Sequence, residues 1–187
     1  MSLYLLRHCE REKSPQFYTP LTTYGKGEAH RLTEEIRKIN VEMIYASPFL
    51  RTIQTIEPYC RKYSMKVNIE NALYECIREP FFDKDNYKFG INELLKEKSN
   101  LKDIINTDYV STVNLDDISC SDDLSLMYNR FIPFLEYIKG EVMSGKNCLL
   151  VTHRTTFNLI EGYIQYGKFI NEDPPWKPLE GIIKKII

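Results

Sequence analysis

Short apolar runs alternate with segments of helical period along most of the chain. Residues 3–6, 43–46 and 148–151 are compact and apolar with little alternation, the pattern of strands buried on both faces. Residues 66–73 predict a further strand and 182–187 a closing one. Between the first two runs, Ala29, Leu32, Ile36 and Ile39 share one helical face. Thr22 or Thr23 is placed to cap that helix. Ser47-Pro48 predicts another helix start, with Ile53, Ile56 and Cys60 at helical spacing and Pro58 set to end or kink it. Ser121 followed by Asp122 and Asp123 opens a third helix. Its inner face carries Met127, Phe131, Phe134, Ile138 and Val142, with a kink expected at Pro133 and an end at Gly145. Residues 155–166 predict a last helix.

Strands and helices in alternation predict an α/β domain with a mostly parallel central sheet. Residues 10–20 carry Pro15 and Pro20 and predict a loop. Residues 76–120 show no long period. They predict an insertion or cap over one end of the sheet, helical near 91–105, within a single domain spanning 1–187. The aromatics Phe81, Phe82, Tyr87 and Phe89 fall in it, suited either to packing against the sheet or to an apolar leaving group.

Composition narrows the chemistry. The 187 residues carry a net charge of −1, so no basic field is expected for nucleic acid or an acidic membrane surface. An anion site must be local. The five cysteines are widely spaced without a CxxC pair, and there are only three histidines, so neither a disulfide framework nor a metal site is expected. No leader-like segment or membrane-length apolar run is present, which predicts a cytoplasmic protein with reduced thiols. Oligomeric state has no signal in the sequence.

Three of the predicted strands end in polar, mostly cationic residues. Residues 3–6 run into Arg7-His8, 43–46 into Ser47 with Arg51 a turn later, and 148–151 into Thr152-His153. Open α/β sheets bind ligands beyond the carboxyl ends of their strands. Parallel strands bring these three ends to one edge, where two arginines and two histidines form a pocket for a dianion such as a phosphate monoester.

The same segments resemble the histidine phosphatase superfamily, also called phosphoglycerate-mutase-like. LLRHCE is similar to its LxRHGE signature, PLTTYGKGEAHRL to LTxxGxxQAxxL, and YASPFLRTIQT to SSPLxRxxQT. NALYE resembles its LxE segment, SLMYNRFIPFL its amphipathic helix with an internal Arg, and LLVTHRTTFNLI its LLVSHGGxIRxL. The resemblance implies a three-layer sandwich and a metal-independent, cofactor-free phosphomonoesterase of the histidine acid phosphatase type. His8 would be the nucleophile and form a phosphohistidine. Arg7, Arg51 and His153 would hold the phosphoryl oxygens, and His153 and Glu75 would complete the catalytic set. Glu75 would protonate the leaving alcohol and then activate water, with Glu79 a neighbouring competitor for that role. The substrate would be a phosphorylated small molecule or a phosphoprotein. Phosphoglycerate-type mutases of the family are usually longer, which favours the hydrolase.

Two positions depart from the family pattern. Cys9 stands where Gly usually follows the nucleophile, and Arg154 where Gly usually follows the second histidine. Asn158 occupies a place where Arg is common. These departures raise an alternative: a catalytically weak domain of the same fold that binds phospho-ligands or regulates. Residues 148–155 also fit the Cys-x5-Arg-Thr pattern of cysteine-dependent phosphatases. That chemistry needs a loop of backbone N–H groups around phosphate, whereas Leu149 to Val151 predict ladder-bonded strand.

Overall fold

The first strand, β1 (Ser2–Arg7), pairs along its length with β4 (Asn147–Thr152), from Ser2 opposite Asn147 to Arg7 opposite Thr152. This computed structural model describes residues 1–78, 82, 89–121, 123–167 and 179–187. With β2 (Met43–Ala46), β3 (Val67–Ile69) and β5 (Ile183–Lys185), the strands form one sheet in the order β3-β2-β4-β1-β5. The β3–β2, β2–β4 and β4–β1 pairs are parallel; β5 is antiparallel to β1.

Strand alternation divides the core between two faces. Leu6, Ile44, Ala46, Leu149 and Val151 join a cluster with α1 (Thr23–Lys38) and α2 (Leu50–Tyr63). Leu3, Leu5, Tyr45, Cys148 and Leu150 join another with α4 (Leu124–Met143) and α5 (Arg154–Tyr166). The strands therefore lack polar alternation because helices cover both faces. On α4, Met127, Phe131, Phe134, Ile138 and Val142 are all buried, as their spacing predicts. The short α3 (Ile91–Glu97) and a 3-10 stretch at Ser99–Ile104 lie where helix was expected.

Several boundaries differ from expectation. The strand predicted over 66–73 stops at Ile69, because the buried Glu70 carboxylate accepts from Ala72 N–H, the Ser111 and Tyr109 hydroxyls and Thr112 N–H. Residues Asn71–Leu73 then turn as 3-10 helix. Ser47-Pro48 does not open α2: the N-cap is Phe49, and Ser47 Oγ is engaged by His153. Pro58 does not end α2, which runs on to Tyr63 with Tyr59 and Cys60 packed in the core. The N-cap of α4 is Asp123, whose carboxylate accepts from Ser125 N–H, in place of Ser121; Asp122 lies outside the described residues. Pro133 lies within α4, which continues to Met143. Among the described residues no helix is long and apolar enough to cross a membrane.

Candidate active site

The carboxyl ends of β1, β4 and β2 meet at one edge. His8 N–H donates to Thr152 O at 3.0 Å, and Ser47 N–H donates to Val151 O at 3.1 Å. His8, Ser47 and His153 therefore follow adjacent strands. The loop after β1 is fastened to the start of α1: Thr22 N–H donates to Glu10 O, and the Thr22 hydroxyl donates to Glu10 Oε1 at 2.7 Å. Gly25 permits this approach, since a Cβ there would overlap the Glu10 carbonyl.

His8, Arg51 and His153 are 2%, 0% and 0% exposed, and the two imidazoles stand 5.4 Å apart, centroid to centroid. Nδ1 of His8 lies 2.8 Å from Cys9 O, an acceptor, so Nδ1 carries the proton and Nε2 the lone pair. Burial, then the Arg51 charge, hold the His8 imidazole well below its ordinary range. Burial, Arg51 and His8 do the same to His153. Both rings are neutral near pH 7.

Arg51 enters from α2 across the Phe49 ring, with its guanidinium carbon 4.3 Å from the centroid. Its Nη1 donates to Pro15 O and Gln16 O at 3.1 and 2.9 Å. Its Nη2 has no hydrogen-bond partner and lies 3.6 Å from Glu75 Oε2. Burial lowers this guanidinium to about 9, still protonated at neutral pH. His153 is arranged in the same way. Nε2 is 2.8 Å from Ser47 Oγ, while Nδ1 has no hydrogen-bond partner and lies 3.5 Å from the same Glu75 oxygen.

Glu75 is fixed through its backbone neighbours. The Tyr74 carbonyl accepts from Arg130 Nη2 on α4 at 2.8 Å and from Thr156 Oγ1 on α5 at 2.9 Å. The Leu73 carbonyl accepts from Thr152 Oγ1. Arg130 is the internal arginine of the amphipathic helix, lowered to about 10 by burial. Glu79, the competing carboxylate, lies outside the described residues.

A pocket of ≈ 300 Å³ is lined by residues that include Arg7, His8, Glu75 and Cys76. Arg7 is held by Glu180, Nη2 to Oε1 at 2.8 Å. Of the expected site residues, Arg7, His8 and Glu75 line the pocket, and the buried Arg51 and His153 lie behind Glu75. The structure adds Arg11, Arg78 and Arg154 at the mouth. Arg11 and Arg78 escaped sequence reasoning because neither follows a strand or sits in a periodic segment. Ser47 escaped as a partner of His153 because it suited a helix cap. Phe82 lines the pocket, whereas Phe89 packs against Phe17 and Tyr18; Phe81, Tyr87 and Trp176 lie outside the described residues. His30 is exposed on α1, away from the site.

The sequence model of the histidine phosphatase superfamily (branch 1) matches residues 3–86. No curated protein matches the chain. Solved structures share this fold across nearly the whole chain. The ecdysone phosphate phosphatase of Bombix mori, in complex with tungstate, superposes with a TM-score of 0.71 at 19% identity, covering 98% of this chain and 87% of that one. The alpha-ribazole phosphatase of Shigella flexneri gives 0.67 at 18% identity over 99% and 89%. A mycobacterial glucosyl-3-phosphoglycerate phosphatase complexed with VO3 gives 0.68 at 13% identity over 98% and 90%.

Against the histidine phosphatase pattern, the two departures are physically distinct. Cys9 does not need the freedom of glycine: the described non-glycine residues with positive φ are Asn40 and Ser64. Its side chain is 0% exposed, belongs to the core cluster of α1 and α2, and meets Gly181, so it stays out of the pocket. Burial pushes its thiol up to about 12. Arg154, by contrast, lines the pocket at the first residue of α5. The Cys-x5-Arg pattern is excluded by backbone geometry. Cys148 is fully buried in β4, opposite Leu3 and Met43, with its thiol raised to about 11.

Proposed function

We propose that the protein hydrolyses phosphate monoesters through a phosphohistidine on His8. One observation carries this reading. Two fully buried nitrogens, Arg51 Nη2 and His153 Nδ1, lie 3.6 and 3.5 Å from Oε2 of the pocket-lining Glu75 without hydrogen-bond partners. Leaving such groups unsatisfied costs roughly 1–3 kcal/mol each, and more for a charged one. Phosphoryl oxygens would satisfy both. That two structures sharing this fold hold tungstate or VO3, each a phosphate-like oxyanion, supports the same reading.

The chemistry follows from the arrangement. A neutral His8 attacks phosphorus through Nε2, with its Nδ1 proton held by Cys9 O. The Ser47 hydroxyl donates to His153 Nε2, which leaves Nδ1–H to donate to a phosphoryl oxygen. Arg7 and Arg51 neutralise the equatorial charge. The N–P bond forms as the P–O ester bond breaks, and Glu75 gives its proton to the departing alkoxide. Glu75 then takes a proton from water as the water oxygen attacks phosphorus. The N–P bond breaks, its electrons return to His8 Nε2, and phosphate leaves.

The test is hydrolysis of an aryl phosphate by the full chain, with rapid acid-free quenching to trap the intermediate. A phosphoenzyme that is base-stable and acid-labile, absent in His8→Ala, is the expected result. Label that survives His8→Ala and disappears in Cys148→Ser would sink the mechanism. Phosphate binding without turnover above the His8→Ala control would make the domain a binding module.

A further inference from the structure

We infer that Glu28 is a positioning residue for His8: its carboxylate holds the Cys9–Glu10 peptide by the N–H, and the carbonyl of that same peptide holds the His8 imidazole. This rests on the phosphohistidine reading and deepens it by naming what aims the nucleophile. Three successive backbone N–H groups at the end of β1 donate to three different elements. His8 N–H goes to Thr152 O of β4 at 3.0 Å, Cys9 N–H to Thr55 Oγ1 of α2 at 3.0 Å, and Glu10 N–H to Glu28 Oε2 of α1 at 3.1 Å. Thr55 is itself tied down, since its hydroxyl donates to Arg51 O at 2.8 Å. The segment that carries His8 is therefore held by the sheet and by both helices that cover that face.

Of these contacts, the one from Glu28 bears most directly on the imidazole. A peptide group is planar and trans, so its N–H and C=O point in opposite directions and move together. The Glu10 N–H shares its plane with Cys9 O, which lies 2.8 Å from His8 Nδ1. Fixing the N–H fixes the carbonyl, and the carbonyl decides which ring nitrogen keeps the proton. The carboxylate also strengthens that carbonyl. A charge-assisted bond to the N–H polarises the peptide and leaves its oxygen a better acceptor. As Nε2 attacks phosphorus the ring gains positive charge, and the acceptor on Nδ1–H stabilises it. The proton stays on Nδ1 throughout. Glu28 acts only through this peptide: it is half-buried on α1 and is not among the described residues that line the pocket. It also stands where the LTxxGxxQAxxL pattern has Gln, a neutral acceptor of the same length.

Two substitutions in the full chain separate this role from packing. Glu28→Met keeps the helix and the side-chain volume but accepts no bond from Glu10 N–H. Glu28→Gln keeps an acceptor and removes the charge. Single-turnover formation of the phosphoenzyme from 4-nitrophenyl phosphate should slow ~10-fold in Glu28→Met, the scale of one hydrogen bond, and ~3-fold in Glu28→Gln, where about half that strength remains. Inorganic phosphate should bind parent and variants within ~2-fold, because the groups that hold it are untouched. The second readout is the tautomer. In nitrogen NMR spectra of isotope-labelled histidines near neutral pH, with His8 assigned by its loss in His8→Ala, the parent should show a protonated Nδ1 and a bare Nε2. Glu28→Met should move His8 to a mixture of tautomers, and Glu28→Gln should restore the parental form. A purely structural role for Glu28 would lower the amount of folded protein and move neither readout. An Nε2-protonated His8 in the parent overturns the inference, as does Glu28→Met with parental rate and tautomer, or Glu28→Gln losing as much as Glu28→Met. If no phosphoenzyme forms in the parent while the tautomer responds as expected, the catalytic reading fails and the hold on His8 stands. If the phosphoenzyme forms and neither readout responds to Glu28, the positioning role alone fails.

Discussion

The inner wall of the pocket and its mouth are built by different means. His8, Arg51 and His153 are fully buried and issue from strand ends or the first turn of a core helix. Each is held by hydrogen bonds: His8 by Cys9 O and Thr152 O, Arg51 by Pro15 O and Gln16 O, His153 by Ser47. The mouth residues Arg11, Arg78 and Arg154 are half-buried and come from the segment after β1, the irregular stretch after Glu75 and a helix start. A rigid sheet edge fixes reacting groups, and loops around it select what is brought there.

The largest test of this division compares one arginine from each set. Arg51→Ala should cut kcat/KM for any phosphate ester ~10²–10³-fold, the scale expected when an oriented charge on the transition state is removed. Arg11→Ala should cost ~10-fold at most on the same ester. Equal losses on phenyl phosphate would abolish the distinction between wall and mouth.

Glu75 stands between the two regions, and its replacement sharpens the contrast. Glu75→Gln should slow hydrolysis ~10²–10³-fold for alkyl esters, as loss of a general acid does. The loss should be far smaller for 4-nitrophenyl phosphate, whose phenolate leaves without a proton. A plot of rate against leaving-group pKa should steepen in the variant. A parallel drop for all esters would assign Glu75 to packing alone.

This division also governs how much was legible in the sequence. The inner wall was readable because buried strands are short apolar runs, and a charge at the end of such a run stands out. Glu75 was readable only through the resemblance to LxE. The reason it holds its place, Arg130 and Thr156 on the Tyr74 carbonyl, is a contact between elements 56 and 82 residues apart. Helix starts misled for a related reason. Ser47 has the chemistry of a cap, but the neighbouring His153 uses its hydroxyl. Ser121 yields to Asp123, and its own Oγ accepts from Asp123 N–H. Pro58 would break an isolated helix, but the residues beyond it have a core to fill. Glu70 cut β3 short through partners around residue 110 that no local window contains. Mouth arginines carry no period, so sequence alone could not place Arg11 or Arg78.

Acid should separate the regions next. His8 and His153 have folded-state pKa values well below 6.5, chiefly from burial. Below about pH 6.5 the unfolded chain therefore binds more protons than the native one, and stability falls with pH by about 1.4 kcal/mol per unit for each histidine. The contribution is complete above pH 6.5 and is lost as pH drops toward the depressed values. Urea unfolding between pH 7 and 5 should show this slope, halved in His8→Gln. A flat profile would mean that the inner wall is hydrated.

The smallest expected effect concerns Cys9, which sits one residue from the proposed nucleophile yet on the core side of it. Its thiol is excluded from the pocket, and its contact with His8 is the backbone carbonyl 2.8 Å from Nδ1. Removing the sulfur leaves that carbonyl in place. Cys9→Ala should keep kcat/KM within about twofold while lowering stability by about 1 kcal/mol, the cost of one small buried group. Cys9→Gly should lose more stability than Cys9→Ala, because glycine also loosens the unfolded chain at a position whose φ does not require it. The measurements are denaturant midpoints beside steady-state rates on one substrate. A large loss of rate at preserved stability would place the thiol itself in the chemistry and move the boundary between wall and core by one residue.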